Sequence, residues 1–263
     1  MDAVFRLDGD TALPGPFAAG PWNPEMQHGG PPAAMMAWAA ERLPAAAPMR
    51  VARLNIDLLR PVPLKPLKLA STVVREGRKI QVSLHSLSHD GKEVVRATAL
   101  KIRSDDSLGE IETGAPPDLP PPEAGTDVSA AIRTSSGFGS GVSMREVRGR
   151  FREPGPAAIW YRLDRPILAG QETSALMRAA ATADFSNATS ALLDFRQWTF
   201  INADVSLHLA RPPRGEWILL DGESWYGPDG AGLAMTRMAD RDGYFGRSVQ
   251  SLVLERRSGA SRP

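Results

Sequence analysis

One motif is written twice in this chain. The strand-like run RLNIDLLRPVP (Arg53 to Pro63) carries Arg60-Pro61, and DVSLHLARPPR (Asp204 to Arg214) carries Arg211-Pro212, at an offset of 151 residues. Downstream of each copy an alternating stretch leads to Asp90-Gly91 or Asp242-Gly243, at an offset of 152, and then to a closing strand with basic residues at its end. Register therefore holds within one residue over the whole segment, and an internal repeat of this kind constrains the fold before any local reading does.

Each copy has the same order of elements. In the first, Pro31 and Pro32 can open a helix, because the N–H groups they lack would be unpaired at that position anyway. The run PPAAMMAWAAERL continues to Leu43, and Pro44 prevents further extension. Residues 33–40 leave almost no polar face, the mark of a helix buried on all sides. The wrapping strands are predicted at residues 51–60, 67–76, 79–88 and 93–103, with Ile80, Val82 and Leu84 in period-two alternation and Asp90-Gly91 as a hairpin turn. In the second copy a strand over 157–163 leads to a helix over about 174–183, followed by strands at 200–210, 216–226, 231–239 and 244–256. Asp229-Gly230 marks another hairpin.

Between the copies, residues 104–127 are rich in Pro, Gly, Asp and Glu, the composition of a solvated linker. The expected organisation is an N-terminal domain over 1–110, a linker over 111–145 and a C-terminal domain over 146–263. One helix followed by antiparallel strands, twice, excludes the strand-helix alternation of a parallel α/β sheet.

Composition narrows the chemistry. The 263 residues carry 31 basic and 30 acidic side chains, a net charge of +1 that supplies no long-range field for nucleic acid or an anionic membrane. No apolar run reaches the length of a membrane span and the N-terminus does not read as a signal peptide, so a cytoplasmic location is expected. With no cysteine, disulfides, thiolate metal ligands and a thiol nucleophile are excluded. The four histidines, His28, His85, His89 and His208, have no metal-ligand spacing. Gly137 to Gly141 reads GFGSG, but Phe138 and Val142 flank Ser140 where a nucleophile elbow requires glycine, which disfavours an α/β-hydrolase. No phosphate-binding Gly-x-x-x-x-Gly-Lys-Ser/Thr loop is present.

The buried helix with four antiparallel strands in duplicate, His28-Gly29-Gly30 before the first helix, the Asp-Gly hairpins and the Arg-Pro after a strand resemble the TesB-type acyl-CoA thioesterases over residues 15–257, the linker excepted. The resemblance implies an α+β double hotdog: two tandem repeats, each a long central helix wrapped by an antiparallel sheet. It also implies hydrolysis of acyl-CoA to free acid and CoA without a cofactor, and a homo-oligomer of double-hotdog protomers. Matched by position, the family's catalytic Asp falls on Asp184 in ATADFSN and its Gln on Gln250 in RSVQSLVLE. Its Thr or Ser falls on Asn202 in FINADVSLHLARPP, a departure from the pattern.

These residue types suit a thioester. An activated acyl group needs an oriented water, a base and donors for the developing oxyanion, and no side-chain nucleophile. Asp184 follows small apolar residues and precedes Phe185, a setting in which partial burial makes a carboxylate a better base; the plain alternative is a helix cap. Asn202 and Gln250 are neutral amides able to orient a water, or else ordinary turn and strand residues. His28, Gly29 and Gly30 read either as a substrate contact at a helix N-terminus or as a tight turn packing the helix. Arg60, Lys65, Arg211 and Arg214 could meet CoA phosphates, with solvated charge the commoner explanation. Two competing functions stand beside hydrolysis: enoyl-CoA hydratase-type chemistry, which needs a His–Asp pair that the sequence around His28 does not supply, and non-catalytic acyl-thioester binding.

Overall fold

The computed structural model describes residues 3–109, 116–133 and 137–257. Part of the segment read as a linker, residues 110–115, lies outside the described residues. The first half contains β1 (Phe5–Asp8), β2 (Thr11–Pro14), α1 (Gly30–Arg42), β3 (Met49–Leu58), β4 (Leu67–Glu76), β5 (Ile80–His89) and β6 (Lys92–Arg103). The second contains β7 (Thr126–Asp127), β8 (Val142–Arg148), β9 (Ala157–Leu163), α2 (Ala175–Ala183), α3 (Ser186–Thr189), β10 (Trp198–Asn202), β11 (Asp204–Leu209), β12 (Trp217–Tyr226), β13 (Ala231–Asp240) and β14 (Gly243–Arg256).

The strands form one sheet in the order β1-β2-β4-β5-β6-β3-β11-β14-β13-β12-β9-β8-β7, with β10 also pairing β14. Each half runs through the same sequence of neighbours, and the halves join where β3 meets β11 antiparallel. Asn55 lies opposite Ser206 in that pair, and these two residues are separated by the repeat offset itself. Arg53 then faces His208 and Asp57 faces Asp204, so the strand pair carries a pseudo-twofold axis at its centre. The repeat in the sequence has become rotational symmetry in the sheet.

Burial follows the pattern read from the residues. In α1 every side chain from Ala33 to Ala40 except Trp38 is buried, and the main apolar core runs continuously between α1, α2 and the inner faces of both half-sheets. Pro31 and Pro32 occupy the first helical turn. At the other end Leu43, forced out of helical geometry by Pro44, is extended at φ −66, ψ 120. The freed carbonyls find partners from the sheet: Lys101 Nζ donates to Leu43 and Gln81 Nε2 to Pro44 at 2.6 Å. Asp90 (φ 47) and Gly91 (φ 71) both take the left-handed conformation that a two-residue hairpin needs.

The second copy departs from the expected plan in its helix. The long central helix expected of each repeat is not found there: α2 has nine residues, and α3 adds a separate four. The cause is chemical. Ser186, Asn187, Thr189 and Ser190 divert backbone and side-chain groups into local bonds, such as Ser186 Oγ to Ala183 O (2.7 Å) and Thr189 Oγ1 to Phe185 O (2.8 Å), competing with continued helix. The strand expected over 200–210 is likewise divided at Ala203. Its N–H donates to Ser251 O and its carbonyl accepts from Leu58 N–H, both at 2.8 Å, so the chain changes partners there. The β1–β2 hairpin, turning through Gly9 at φ 58, and β8, paired with β9, are additions to the elements read from the sequence.

The repeated Arg-Pro pair has a structural use. Arg60 donates to Glu93 O at 2.8 Å and Arg211 to Gly243 O at 2.9 Å, each at the start of a closing strand. Arg211 also clasps buried Asp240 through both terminal nitrogens, and Arg214 pairs with Asp242. Arg211 is thus committed to a buried pair, while Arg60 and Arg214 make exposed contacts. No described helix is long and apolar enough to cross a membrane.

Candidate active site

The break between α2 and α3 aims one carboxylate at the opposite half of the chain. Asp184 is the C-cap of α2, with helical φ −64 and ψ −19, and its side chain leaves the helix end and passes toward the entrance of α1. Its Oδ2 lies 2.7 Å from His28 Nδ1, and its Oδ1 accepts from Asn202 Nδ2 at 2.8 Å. Asp184 is 4% exposed. Both its oxygens are occupied by polar partners, which is what a buried charge requires.

The glycines are explained by the same carboxylate. Gly29 has ordinary helical torsions, φ −65 and ψ −24, so its backbone does not demand glycine. A Cβ there would lie 2.4 Å from Asp184 Oδ1 and 2.8 Å from Cγ. At Gly30 a Cβ would lie 2.9 Å from both Ala181 O and the Phe138 ring. The pair thus lets α1 approach the end of α2 closely enough for His28 and Asp184 to meet. Because Pro31 and Pro32 have no N–H, the donors at this terminus come from Gly29 and Gly30.

His28 is held from several sides. Its N–H donates to Ala18 O at 2.9 Å, and its ring packs against Phe138 (5.2 Å between centroids) and Phe185 (4.7 Å). Two contacts converge on Nδ1: the Asp184 oxygen at 2.7 Å and the Gly30 N–H at 3.1 Å. A ring nitrogen either carries a proton or accepts one. Donation from Nδ1 to Asp184 requires the proton on that nitrogen, whereas acceptance from Gly30 N–H requires it absent.

Gln250 is fully buried one layer behind this cluster. Its Oε1 accepts from Asn187 N–H at 3.0 Å, and its Nε2 faces Ala183 O (3.2 Å) and Asp184 O (3.3 Å). It therefore satisfies the last carbonyls of α2 and fixes the backbone that carries Asp184, without touching the carboxylate. Asn187 extends the brace by donating to Phe200 O at 3.0 Å. Of the six residues singled out in the sequence, Asp184, Asn202, His28, Gly29 and Gly30 converge, and Gln250 supports them.

Sequence reasoning missed the His28–Asp184 pair. The objection that His28 has no acidic partner held only for its local sequence; the partner comes from the other half. Phe138 and Asn187 were also missed, and only their spacing to residues in other elements gives them a role. Among the described residues no group of three or more His, Asp or Glu side chains could hold a metal ion.

Two family models match, the acyl-CoA thioesterase N-terminal domain over residues 18–102 and the acyl-CoA thioesterase C-terminal domain over residues 114–254. The chain belongs to the acyl-CoA thioesterase family. It is a thioester hydrolase of the TesB-like kind. Solved structures with similar folds include the tesB protein of Mycobacterium avium subspecies paratuberculosis, at 17% identity over 95% of this chain and 96% of that one, with a TM-score of 0.70. A hot dog fold protein of unknown function from Alicyclobacillus acidocaldarius aligns at 16% identity, 95% of each chain and a TM-score of 0.72. The acyl-CoA thioesterase II TesB2 of Mycobacterium marinum aligns at 16% identity over 88% of this chain and 90% of that one, with a TM-score of 0.66. These likenesses establish the α+β hotdog architecture. No curated protein matches the sequence.

Proposed function

We propose that this chain hydrolyses acyl-CoA to a free carboxylic acid and CoA through a water activated by Asp184, with no covalent acyl-enzyme. The observation that carries the reading is a buried carboxylate fixed by two side chains, Asn202 and His28, beside the glycine pair at the entrance of α1. Asp184 supplies the negative charge on which activation of the water depends, and Asn202 holds its Oδ1. Gln250 locks the end of α2, so the carboxylate stays oriented without reorganisation during reaction. The N–H of Gly29, which has no hydrogen-bond partner among the described residues, is suited to meet the thioester oxygen as it gains charge. The same reading takes the active form as a cytoplasmic homo-oligomer of double-hotdog protomers.

The test is CoA release from hexanoyl-, decanoyl- and palmitoyl-CoA by wild type and Asp184→Asn. Turnover in the first and its loss in the second, with acyl-CoA affinity retained, supports the reading; undiminished hydrolysis in Asp184→Asn defeats it. Binding without turnover in both proteins would instead support a non-catalytic acyl-thioester protein. A hydratase-type reading is favoured by one observation, the His28–Asp184 pair, since such a pair can also move a proton at carbon. Conversion of a 3-hydroxyacyl-CoA to its enoyl form, without CoA release, would select it.

A further inference from the structure

We propose that His28 is itself a catalytic residue, the group that takes the attacking water's proton at Nε2, with Asp184 acting through it. This rests on the hydrolase reading above and specifies the path of the proton within it. Three observations converge. Both carboxylate oxygens of Asp184 are already engaged, by Asn202 and by His28, and the Gly29 backbone packs against them, so a water has little access to the carboxylate. His28 is the more open member of the pair, with 14% of its side chain exposed against 4% for Asp184. Its Nδ1 faces the carboxylate and the Gly30 N–H, while Nε2 has no hydrogen-bond partner among the described residues.

On this proposal the ring is the Nδ1–H tautomer, which the 2.7 Å approach of the carboxylate favours over the 3.1 Å contact with Gly30 N–H. Nδ1 carries the proton it donates to Asp184, so Nε2 presents a lone pair. Phe138 and Phe185 pack against the ring and limit its rotation away from that orientation. In the reaction, the water oxygen bonds to the thioester carbon while its proton passes to Nε2, and the carbonyl electrons move onto oxygen. Asp184 stabilises the resulting imidazolium, as the carboxylate does in hydrolytic triads. When the C–S bond breaks, the proton on Nε2 passes to the departing CoA sulfur, leaving the carboxylic acid and the thiol. His28 returns to its starting form, and no outside reagent is needed.

The deciding experiment compares wild type, His28→Asn, His28→Ala and Asp184→Asn on the same acyl-CoA panel. Asn at position 28 can still offer an N–H toward Asp184 but has no basic nitrogen, so the pair's packing survives while the base is removed. The expected result is a fall in kcat of about 10²- to 10⁴-fold in His28→Asn with KM little changed, and a return of rate in His28→Ala on adding imidazole. Binding of a non-hydrolysable acyl-CoA thioether checks that both variants are folded. Near-normal kcat in His28→Asn while Asp184→Asn is inactive would overturn the proposal and leave Asp184 as the direct base. Inactivity of both His28 variants without imidazole rescue would also overturn it, reducing His28 to a positioning residue. Full activity in Asp184→Asn would overturn the part given to its carboxylate, and no CoA release by the wild type would defeat the hydrolase reading instead.

Discussion

Replacing Gly29 with alanine isolates the contact on which the site depends. The new Cβ would lie 2.4 Å from Asp184 Oδ1 and 2.8 Å from Cγ, whereas ordinary contact begins near 3.4 Å, so the carboxylate must retreat by about 1 Å. It has no free direction, because Asn202 and His28 hold its two oxygens. Overpacking of this kind costs about 1–3 kcal/mol. Against it stands a gain of about 0.5–1 kcal/mol from restricting the unfolded chain, since φ −65 and ψ −24 suit alanine. The net expectation is a loss of up to about 2.5 kcal/mol, and a kcat lower by about 10²-fold from the misplaced carboxylate. Removing the carboxylate should invert the sign: in Asp184→Ala, the three atoms that crowd the new Cβ are gone and the Gly29→Ala change stabilises by up to about 1 kcal/mol. Urea unfolding of the four proteins measures this coupling directly. Equal effects of Gly29→Ala in both backgrounds would refute the claim that Gly29 is glycine because Asp184 packs on it.

Gln250→Ala should lower stability by about 2–4 kcal/mol, because it strips partners from Ala183 O, Asp184 O and Asn187 N–H inside the protein, and a thermal melt reads it. Arg211→Ala leaves the Asp240 carboxylate buried without its guanidinium; a cost of about 3–5 kcal/mol with kcat per folded molecule unchanged is the expected outcome, and a large kcat loss in fully folded protein would contradict a purely structural role. His85, between Ser71 and Ser83, is held down to about 4 by burial and by Lys101, so the folded ring stays neutral where the unfolded one takes a proton. Stability therefore falls as pH drops from about 6.5 toward about 4, by up to about 3 kcal/mol, and His85→Gln should flatten that dependence in urea titrations at successive pH values.

The fold was legible because its signals are local and repeated. Apolar residues along α1, period-two strands and the Asp-Gly turns each act within a few residues, and the Arg-Pro repeat tied the halves together. The divided second helix was harder to read, since nothing in ATADFSNATS forbids helix as proline would; the buried partners that draw off Ser186 and Asn187 lie in other strands. At the site, residue types could be matched one by one to a family pattern, but their mutual geometry could not. His28 and Asp184 belong to opposite halves, and only packing of α1 on α2 brings them together. Gln250 shows the converse limit: its residue type suggested a water ligand, and its surroundings make it a helix-end brace.

The pseudo-twofold plan places two helix-end crossings in the molecule, and their differences argue that only one is a reaction site. At the second crossing the end of α1 meets the start of α2: Trp38 Nε1 donates to Gln171 Oε1 at 2.9 Å and Ser174 Oγ to Glu41 Oε2 at 2.5 Å. Burial pushes the Glu41 carboxyl up, against the lowering pull of that Ser174 hydrogen bond. Ser174 also accepts from Met177 N–H, so this helix start is capped from within the chain. At the first crossing two prolines and two glycines replace such a cap, and the ring beside them is a histidine with one nitrogen unpartnered among the described residues. A repeat that kept both sites would bind two acyl chains per polypeptide. Titration with a non-hydrolysable acyl-CoA thioether should instead give one equivalent per chain, abolished by bulk at Gly30 and unaffected by Ser174→Ala; two equivalents would mean that the Glu41 crossing also opens to ligand.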